Sequence, residues 1–318
     1  MNTNATLPAL IRIASRESRL AMVQSEWTAA KLRALYPAAT IEIIGMTTKG
    51  DQILDKPLAQ IGGKGLFIKE LEVALEEGRA EIAVHSMKDV PMTLPEGFAA
   101  VIVGEREDAM DAFVSNRFAS LDTLPHGATV GTSSLRRESQ LRHARPDLKI
   151  EGLRGNVNTR LAKLDAGHYD AIILACAGLK RLGMAARIRS TLDPAHFLPA
   201  IAQGVLGIEY RANGAGGADI AAWLSPFADI ETTAIVNAER ALGRALTASC
   251  DVPLGGYGTI DGSTLRLEGF VAMPDGSRMI RDVITGKIAD AEQLGLALAA
   301  KLIDAGAGDI LANLKRHA

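Results

Sequence analysis

Residues 11–46, IRIASRESRLAMVQSEWTAAKLRALYPAATIEIIGM, decide the reading of the fold. An apolar run at 11–14 gives way to an amphipathic stretch at 18–36 and then to a second apolar run at 41–46. Strand, helix and strand in that order form the α/β pattern, in which a helix crosses over to lay down the next strand. The alternation continues with a helix over 67–77, strands at 81–84 and 128–131, a helix over 134–144, a strand at 149–153, a helix over 156–166 and a strand at 171–176. It predicts two α/β units that part near 104–108. After 204–210 the texture changes to a Gly/Ala-rich stretch, a long helix over 230–246, and glycine-broken strands at 256–260, 265–273 and 279–285. A helix over 291–305 closes the chain, so the last part reads as a separate α+β domain of about 90 residues.

With 318 residues, 47% of them hydrophobic, the chain can bury a full core and divide into two or three domains. Its net charge of -2, from 35 basic and 37 acidic residues, argues against a nucleic-acid binder or a polybasic membrane anchor. Any anion site must therefore be local. The basic residues are 23 Arg and 12 Lys, a bias that suits bidentate grip on carboxylates but that genome composition alone also explains. Residues 1–8 have no positive flank or apolar core of a signal peptide, and no run reaches the roughly 18 apolar residues of a membrane span. Cys176 and Cys250 are too few for a disulfide framework and lack metal-ligand spacing, so no metal is expected and a reducing cytoplasm fits.

Two segments resemble each other: Ile13-Ala-Ser-Arg-Glu-Ser-Arg-Leu20 and Val130-Gly-Thr-Ser-Ser-Leu-Arg-Arg137 both run from a strand into Ser/Thr and Arg at a helix start. Such a turn offers free N–H groups, hydroxyls and a guanidinium at the positive end of a helix, which makes an anion site. The plainer reading is that Ser18 and Ser134 are N-caps. Lys88 and Asp89, in His85-Ser-Met-Lys-Asp-Val-Pro91, fall just past the C-terminal end of the apolar 82–84 strand, where open α/β sheets bind ligands. Gly62-Gly-Lys-Gly65 lacks the full spacing of a nucleotide loop, although its glycines let Lys64 approach an anionic ligand. Arg154 and Arg160 lie at the end of a strand and in the next helix; with Arg16, Arg136 and Arg137 they imply a ligand bearing several carboxylates or phosphates. Cys176 sits in an apolar strand pattern and is assigned to the core. Cys250 sits in the turn-rich Ser249-Cys-Asp-Val-Pro-Leu-Gly-Gly256, where a thiol can meet something in a cleft, although a lone loop cysteine is more often incidental.

Taken together, Val84-His-Ser-Met-Lys-Asp-Val-Pro91, Gly131-Thr-Ser-Ser-Leu-Arg-Arg137, Leu153-Arg-Gly-Asn156, Ala177-Gly-Leu-Lys-Arg-Leu182 and the Cys250 loop resemble the porphobilinogen deaminase (hydroxymethylbilane synthase) family. The resemblance runs from about residue 11 to beyond Cys250. It implies a transferase of haem and tetrapyrrole biosynthesis that polymerises four porphobilinogen molecules into hydroxymethylbilane on a dipyrromethane cofactor held by Cys250 through a thioether. It implies Asp89 as the catalytic carboxylate. It implies ligand binding by Arg16, Ser18, Lys64, Lys88, Thr132, Ser133, Ser134, Arg136, Arg137, Arg154, Gly155, Arg160 and Arg181, with Gln203 near the cleft. Phe67 matches an aromatic that stacks on a pyrrole ring, core packing being the alternative.

The implied fold is α/β, two periplasmic-binding-protein-like domains flanking a cleft plus a smaller C-terminal α+β domain. The domains are 1–104 with a return segment at 198–222, 105–197, and 223–318. The expected partners are the small-molecule substrate alone, with no nucleic acid or membrane, and the expected state is a cytoplasmic monomer. Two departures stand out: Gln60 lies where some relatives carry lysine, and Ala248-Ser249 precedes Cys250 where relatives often have glycine.

Two other classes account for part of this. A solute-binding module explains the Arg and Ser/Thr turns but not Cys250 in a third domain. A conventional thiol enzyme needs a base near Cys250, and the loop offers none; neighbouring Asp251 would raise the thiol pKa.

Overall fold

In the first five-strand sheet, alternating side chains are set by three parallel strands, and the polar face of one helix turns inward rather than out. The computed structural model describes residues 9–52, 65, 67–214, 216–246 and 252–317, which divide into two units. Unit 1 comprises the described residues of 1–53, 64–106 and 205–232, and unit 2 those of 54–63, 107–204 and 233–318.

Unit 1 begins with β1 (Leu10–Arg16), α1 (Arg19–Leu35) and β2 (Thr40–Met46), followed by a single turn, α2 (Lys49–Gln52). Then come α3 (Lys69–Glu76), β3 (Ile82–Ser86) and β4 (Phe98–Val103). β1 pairs in parallel with both β2 and β3. Beside β3 runs an antiparallel strand contributed from far down the chain, labelled β10 (Leu206–Arg211), which also pairs with β4. The sheet order is therefore β2-β1-β3-β10-β4. Ile11, Ile13, Ile82, Val84 and Ile208 meet Ala29 and Leu32 of α1 in one core, while Ala14 and Ala83 meet Leu71, Ala74 and Leu75 of α3 in another. Coverage on both faces explains the near-continuous apolar strands. Yet α1 also buries Gln24, Ser25 and Thr28, because Ser25 donates to Ser15 (2.8 Å) and Gln24 Nε2 donates to Ser86 Oγ (2.9 Å). A polar inner face of this kind is tolerated only when each group finds a partner.

Unit 2 repeats the plan. Its strands are β5 (Asp111–Val114), β6 (Thr129–Gly131), β7 (Lys149–Glu151), β8 (Ala171–Ala175) and β9 (Ser190–Thr191), in the order β7-β6-β8-β5-β9. Three parallel strands are again followed by two antiparallel pairings, β8 with β5 and β5 with β9. The helices α4 (Leu135–Ala144), α5 (Val157–Asp165) and α6 (Cys176–Arg181) cover it. Phe113, Val130 and Ile173 point to one core and Val114, Ile172 and Leu174 to the other, as period-two alternation requires. Cys176 is wholly buried as expected, but it opens α6 instead of ending a strand, and burial pushes its thiol up to about 12.

α7 (Gly217–Leu224) packs on unit 1, and α8 (Ile230–Ala245) leads into the C-terminal domain. There β11 (Leu254–Asp261), β12 (Thr264–Ala272) and β13 (Met279–Lys287) form an antiparallel meander. α9 (Ala291–Leu302) lies against it and so close to α8 that a Cβ on Gly295 would come 2.3 Å from the Ala238 carbonyl oxygen. The closing helix read at 291–305 is α9, which runs into a wide turn with Gly306 at φ 103°, and a further helix not read from the sequence, α10 (Gly308–His317), follows it. The fold is thus α/β with two similarly built sheets and a separate small α+β domain. Among the described residues no helix is long and apolar enough to cross a membrane.

Candidate active site

The C-terminal ends of β1 and β3 open onto a small cavity of about 50 Å3 in unit 1. Such a position follows from topology, because parallel neighbours direct their following loops to the same edge of the sheet. β1 delivers Arg16, the start of α1 delivers Ser18 and Gln24, and the end of β3 delivers His85 and Ser86. One 3-10 turn further, Met87–Asp89, brings Asp89 to the cavity with its side chain exposed, and Lys88 sits in the same turn. Phe67, just before α3, completes the wall.

Arg16 is tightly placed. Its guanidinium lies over the Phe67 ring, 4.4 Å from the centroid, a cation–π contact. Its Nε donates to Asp51 Oδ2 (3.0 Å) and its Nη2 donates to Asp51 Oδ1, a side-on bidentate pair. Thr48 Oγ1 donates to Asp51 Oδ2 (2.7 Å). Burial works to raise the Asp51 carboxyl, but the bonds from Arg16 and Thr48 outweigh it and hold the group below the usual range. Ser18 is the N-cap of α1, its Oγ accepting from the Ala21 N–H at 3.4 Å, so the capping reading of this serine holds while its hydroxyl also lines the cavity.

Behind the wall lies a buried acid–base cluster. His85 Nε2 is 2.8 Å from Oε2 of Glu209, a wholly buried residue on β10. Glu72 of α3 faces them, and its carboxyl is pushed up to about 7, by burial first and by the charge of Glu209 second.

In unit 2 the corresponding turn follows β6. Thr132 Oγ1 accepts from the Ser134 N–H (3.2 Å), and Ser133 Oγ accepts from the Leu153 N–H (2.9 Å). Ser134 occupies the N-cap position of α4 without a side-chain cap bond. Arg136 and Arg137 are 6% exposed, and the carboxylate they grip is the protein's own Asp111. Arg137 donates to Asp111 Oδ1 through Nε (3.1 Å) and Nη2 (2.6 Å) and to the Ile173 carbonyl through Nη1 (2.9 Å). Arg136 Nη2 stands 2.7 Å from Asp111 Oδ2, and its Nη1 donates to the Leu198 carbonyl (2.6 Å). Gln203 Nε2 joins the cluster at 3.0 Å from Asp111 Oδ1. Burial alone would raise the Asp111 carboxyl; the two guanidiniums reverse this and hold it far below the carboxylate range.

Gly155 has φ 113°, a left-handed conformation that favours glycine, and its carbonyl accepts from Arg160 Nε (2.7 Å). Arg154 precedes it, half-buried, its pKa lowered by that burial. Arg181, at the end of α6, donates to the Gly204 carbonyl (2.7 Å). The sequence-derived set therefore falls into a unit 1 group (Arg16, Ser18, Phe67, Lys88, Asp89) and a unit 2 group. Lys64 and Cys250 lie outside the described residues.

A family profile described as porphobilinogen deaminase, dipyromethane cofactor binding domain, matches residues 11–217, and a second, porphobilinogen deaminase, C-terminal domain, matches 233–304. A porphobilinogen deaminase from Chromobacterium violaceum is 60% identical over 302 residues, spanning 95% of this chain and 97% of the relative. The chain belongs to the porphobilinogen deaminase family. A second relative, the porphobilinogen deaminase of Nitrosomonas europaea, is 58% identical over 96% of this chain and 99% of its own. Porphobilinogen deaminases are transferases of tetrapyrrole biosynthesis that polymerise porphobilinogen and use a dipyrromethane cofactor. Among solved structures, the periplasmic aliphatic sulphonate binding protein SsuA from Escherichia coli is similar over 77% of this chain and 73% of its own, at 14% identity and a TM-score of 0.40.

Sequence reasoning missed Asp51, Asp111, His85, Glu209 and Glu72. One signal was available for Glu209: a lone carboxylate inside the apolar run Leu206-Gly-Ile-Glu-Tyr210.

Proposed function

We propose that the chain joins four porphobilinogen units head to tail, releasing ammonia each time, into hydroxymethylbilane, on a dipyrromethane bound to Cys250 through a thioether. The observation that carries this reading is the unit 1 cavity, which gathers an exposed carboxylate (Asp89), a stacked guanidinium (Arg16) and an aromatic wall (Phe67) at one strand edge. That donor set suits pyrrole rings, which offer N–H groups to a carboxylate and ring carboxylates to a guanidinium. When bound, the dipyrromethane supplies the ring carbon that accepts incoming units.

Asp89 accepts hydrogen bonds from pyrrole N–H groups. As ammonia leaves the substrate's aminomethyl group, positive charge spreads over the ring, and a fixed carboxylate stabilises it where it develops. The same oxygen takes the ring proton when the new C–C bond has formed and aromaticity returns, and passes it to the aminomethyl nitrogen of the next porphobilinogen, which then leaves as ammonia. Arg16, Ser18, Lys64, Lys88 and Phe67 orient the rings and their carboxylates, and the family resemblance assigns ligand binding also to Thr132, Ser133, Ser134, Arg136, Arg137, Arg154, Gly155, Arg160, Arg181 and Gln203. Cys250 forms its C–S bond by attack on a substrate methylene carbon, its proton leaving with ammonia. The reading includes three domains, 1–104 with 198–222, 105–197 and 223–318, supported by the three separate sheets. It includes a cytoplasmic monomer, on the family resemblance alone, and the absence of nucleic-acid or membrane partners, supported by the net charge of -2.

Intact-protein mass spectrometry tests the attachment. Wild type should carry an adduct of two deaminated porphobilinogen units that is missing from Cys250→Ser. A wild-type mass that stays bare after incubation with porphobilinogen refutes the reading.

A further inference from the structure

The edge of Arg16 that would grip a ligand carboxylate is already taken. Nε and Nη2 form the side-on face of the guanidinium, the geometry in which Arg binds a carboxylate with two parallel bonds, and both donate to Asp51. Asp51 is itself held in place: Thr48, wholly buried, donates to its Oδ2 at 2.7 Å, and the Lys49 N–H at the head of α2 donates to Glu70 Oε1 at 3.1 Å. The Phe67 ring fixes the plane of the guanidinium. A carboxylate arriving in the cavity therefore meets a complete ion pair instead of a waiting cation. Both partners are partly exposed, with side-chain exposures of 21% and 23%, so exchange needs no opening of a core.

We propose that Asp51 is a competing counter-ion, which occupies the carboxylate-binding edge of Arg16 until a ligand carboxylate displaces it and so lowers the affinity of the cavity for that carboxylate. Two consequences follow. A ligand lacking the carboxylate leaves the Arg16–Asp51 pair intact and gains nothing from Arg16. A ligand that has it exchanges one ion pair for another, so while Asp51 is present Arg16 adds little net affinity and only a small preference over neutral analogues. The competing account is that Asp51 merely orients Arg16, which then binds through its remaining N–H groups. The two accounts predict opposite signs, because removing a competitor tightens binding and removing a support weakens it. This inference rests on the pyrrole-carboxylate reading of the cavity.

The test is a calorimetric titration of the full-length protein with a pyrrole bearing acetate and propionate side chains but no aminomethyl group, alongside its dimethyl ester. Asp51→Asn keeps the shape and removes the charge. The expected result is about five- to tenfold tighter binding of the diacid, with the ester unchanged, and a matching fall in KM for porphobilinogen without a rise in kcat. Asp51→Glu should restore wild-type discrimination. Thr48→Val, which loosens Asp51 without touching Arg16, should shift the diacid in the same direction by a smaller factor. Unchanged or weaker diacid binding in both Asp51→Asn and Thr48→Val overturns the proposal. Turnover of porphobilinogen by wild type is scored separately, so loss of the deaminase reading shows in that assay and not in the sign of the binding change.

Discussion

Asp111→Ala is the substitution whose cost the structure specifies most closely. The residue is wholly buried on β5, and its Oδ1 accepts three bonds, from Arg137 Nε at 3.1 Å, Arg137 Nη2 at 2.6 Å and Gln203 Nε2 at 3.0 Å. Its Oδ2 faces Arg136 Nη2 at 2.7 Å. Truncation leaves two guanidiniums, each 6% exposed, sharing a small volume with no anion. Removing one partner of a buried pair costs about 3–5 kcal/mol, and two stranded like charges place this case at the upper end. With a urea m-value of about 3 kcal/mol/M, a cost of about 4–5 kcal/mol should lower the midpoint by about 1.3–1.7 M. Far-UV circular dichroism is the right probe, since Trp27 and Trp223 both belong to unit 1. The pH dependence gives an independent check. A carboxyl held below its unfolded value of 3.8 contributes stability that is present above that pH and lost as pH falls through the folded value. The gap between wild type and Asp111→Asn should therefore hold steady from pH 7 to about 4 and narrow in stronger acid. A midpoint shift under about 0.3 M for Asp111→Ala refutes the reasoning, because the guanidiniums would then have found other partners at no cost.

Two further outcomes are expected. Asp89→Ala should cut porphobilinogen turnover at least about a hundredfold, the scale of losing one charge-stabilising group, while leaving the thermal midpoint nearly unchanged because the side chain is exposed; near-normal turnover would remove Asp89 from its role. Glu72, raised from 4.5 to about 7, takes up a proton on folding, so its stabilisation is complete below pH 4.5 and lost as pH rises through 7. Glu72→Gln should flatten the fall of thermal midpoint across that window and be the more stable form above pH 7, whereas parallel curves for the two proteins would contradict the assignment.

The α/β alternation was legible because strands such as β1 and β8 are apolar runs flanked by helices of clear period. The capping of α1 and α5 by Ser18 and Asn156 could be read from residue type alone. β5 was not read, since it opens on Asp111, a charge that only Arg136 and Arg137 of a later helix make tolerable. Nor does periodicity reveal that β10 enters unit 1 beside β3; only the family resemblance suggested a return. At the cavity, Asp89 and Arg16 follow from their places at strand ends. Asp51, His85 and Glu209 do not, because the meaning of each depends on a partner 35 or 124 residues away.

The insertion of β10 between β3 and β4 also sets an order of events during synthesis. β4 ends at Val103 and β10 begins at Leu206, so a ribosome adding about 5–20 residues per second leaves the gap in that sheet open for some 5–20 s. Throughout that interval β3 and β4 carry unpaired edges, the kind of template that invites association with other chains. The sheet of unit 2 has no such wait, for its five strands lie within one unbroken stretch, 111–191. A nascent chain halted before residue 206 thus holds every strand of the second sheet and lacks a central strand of the first.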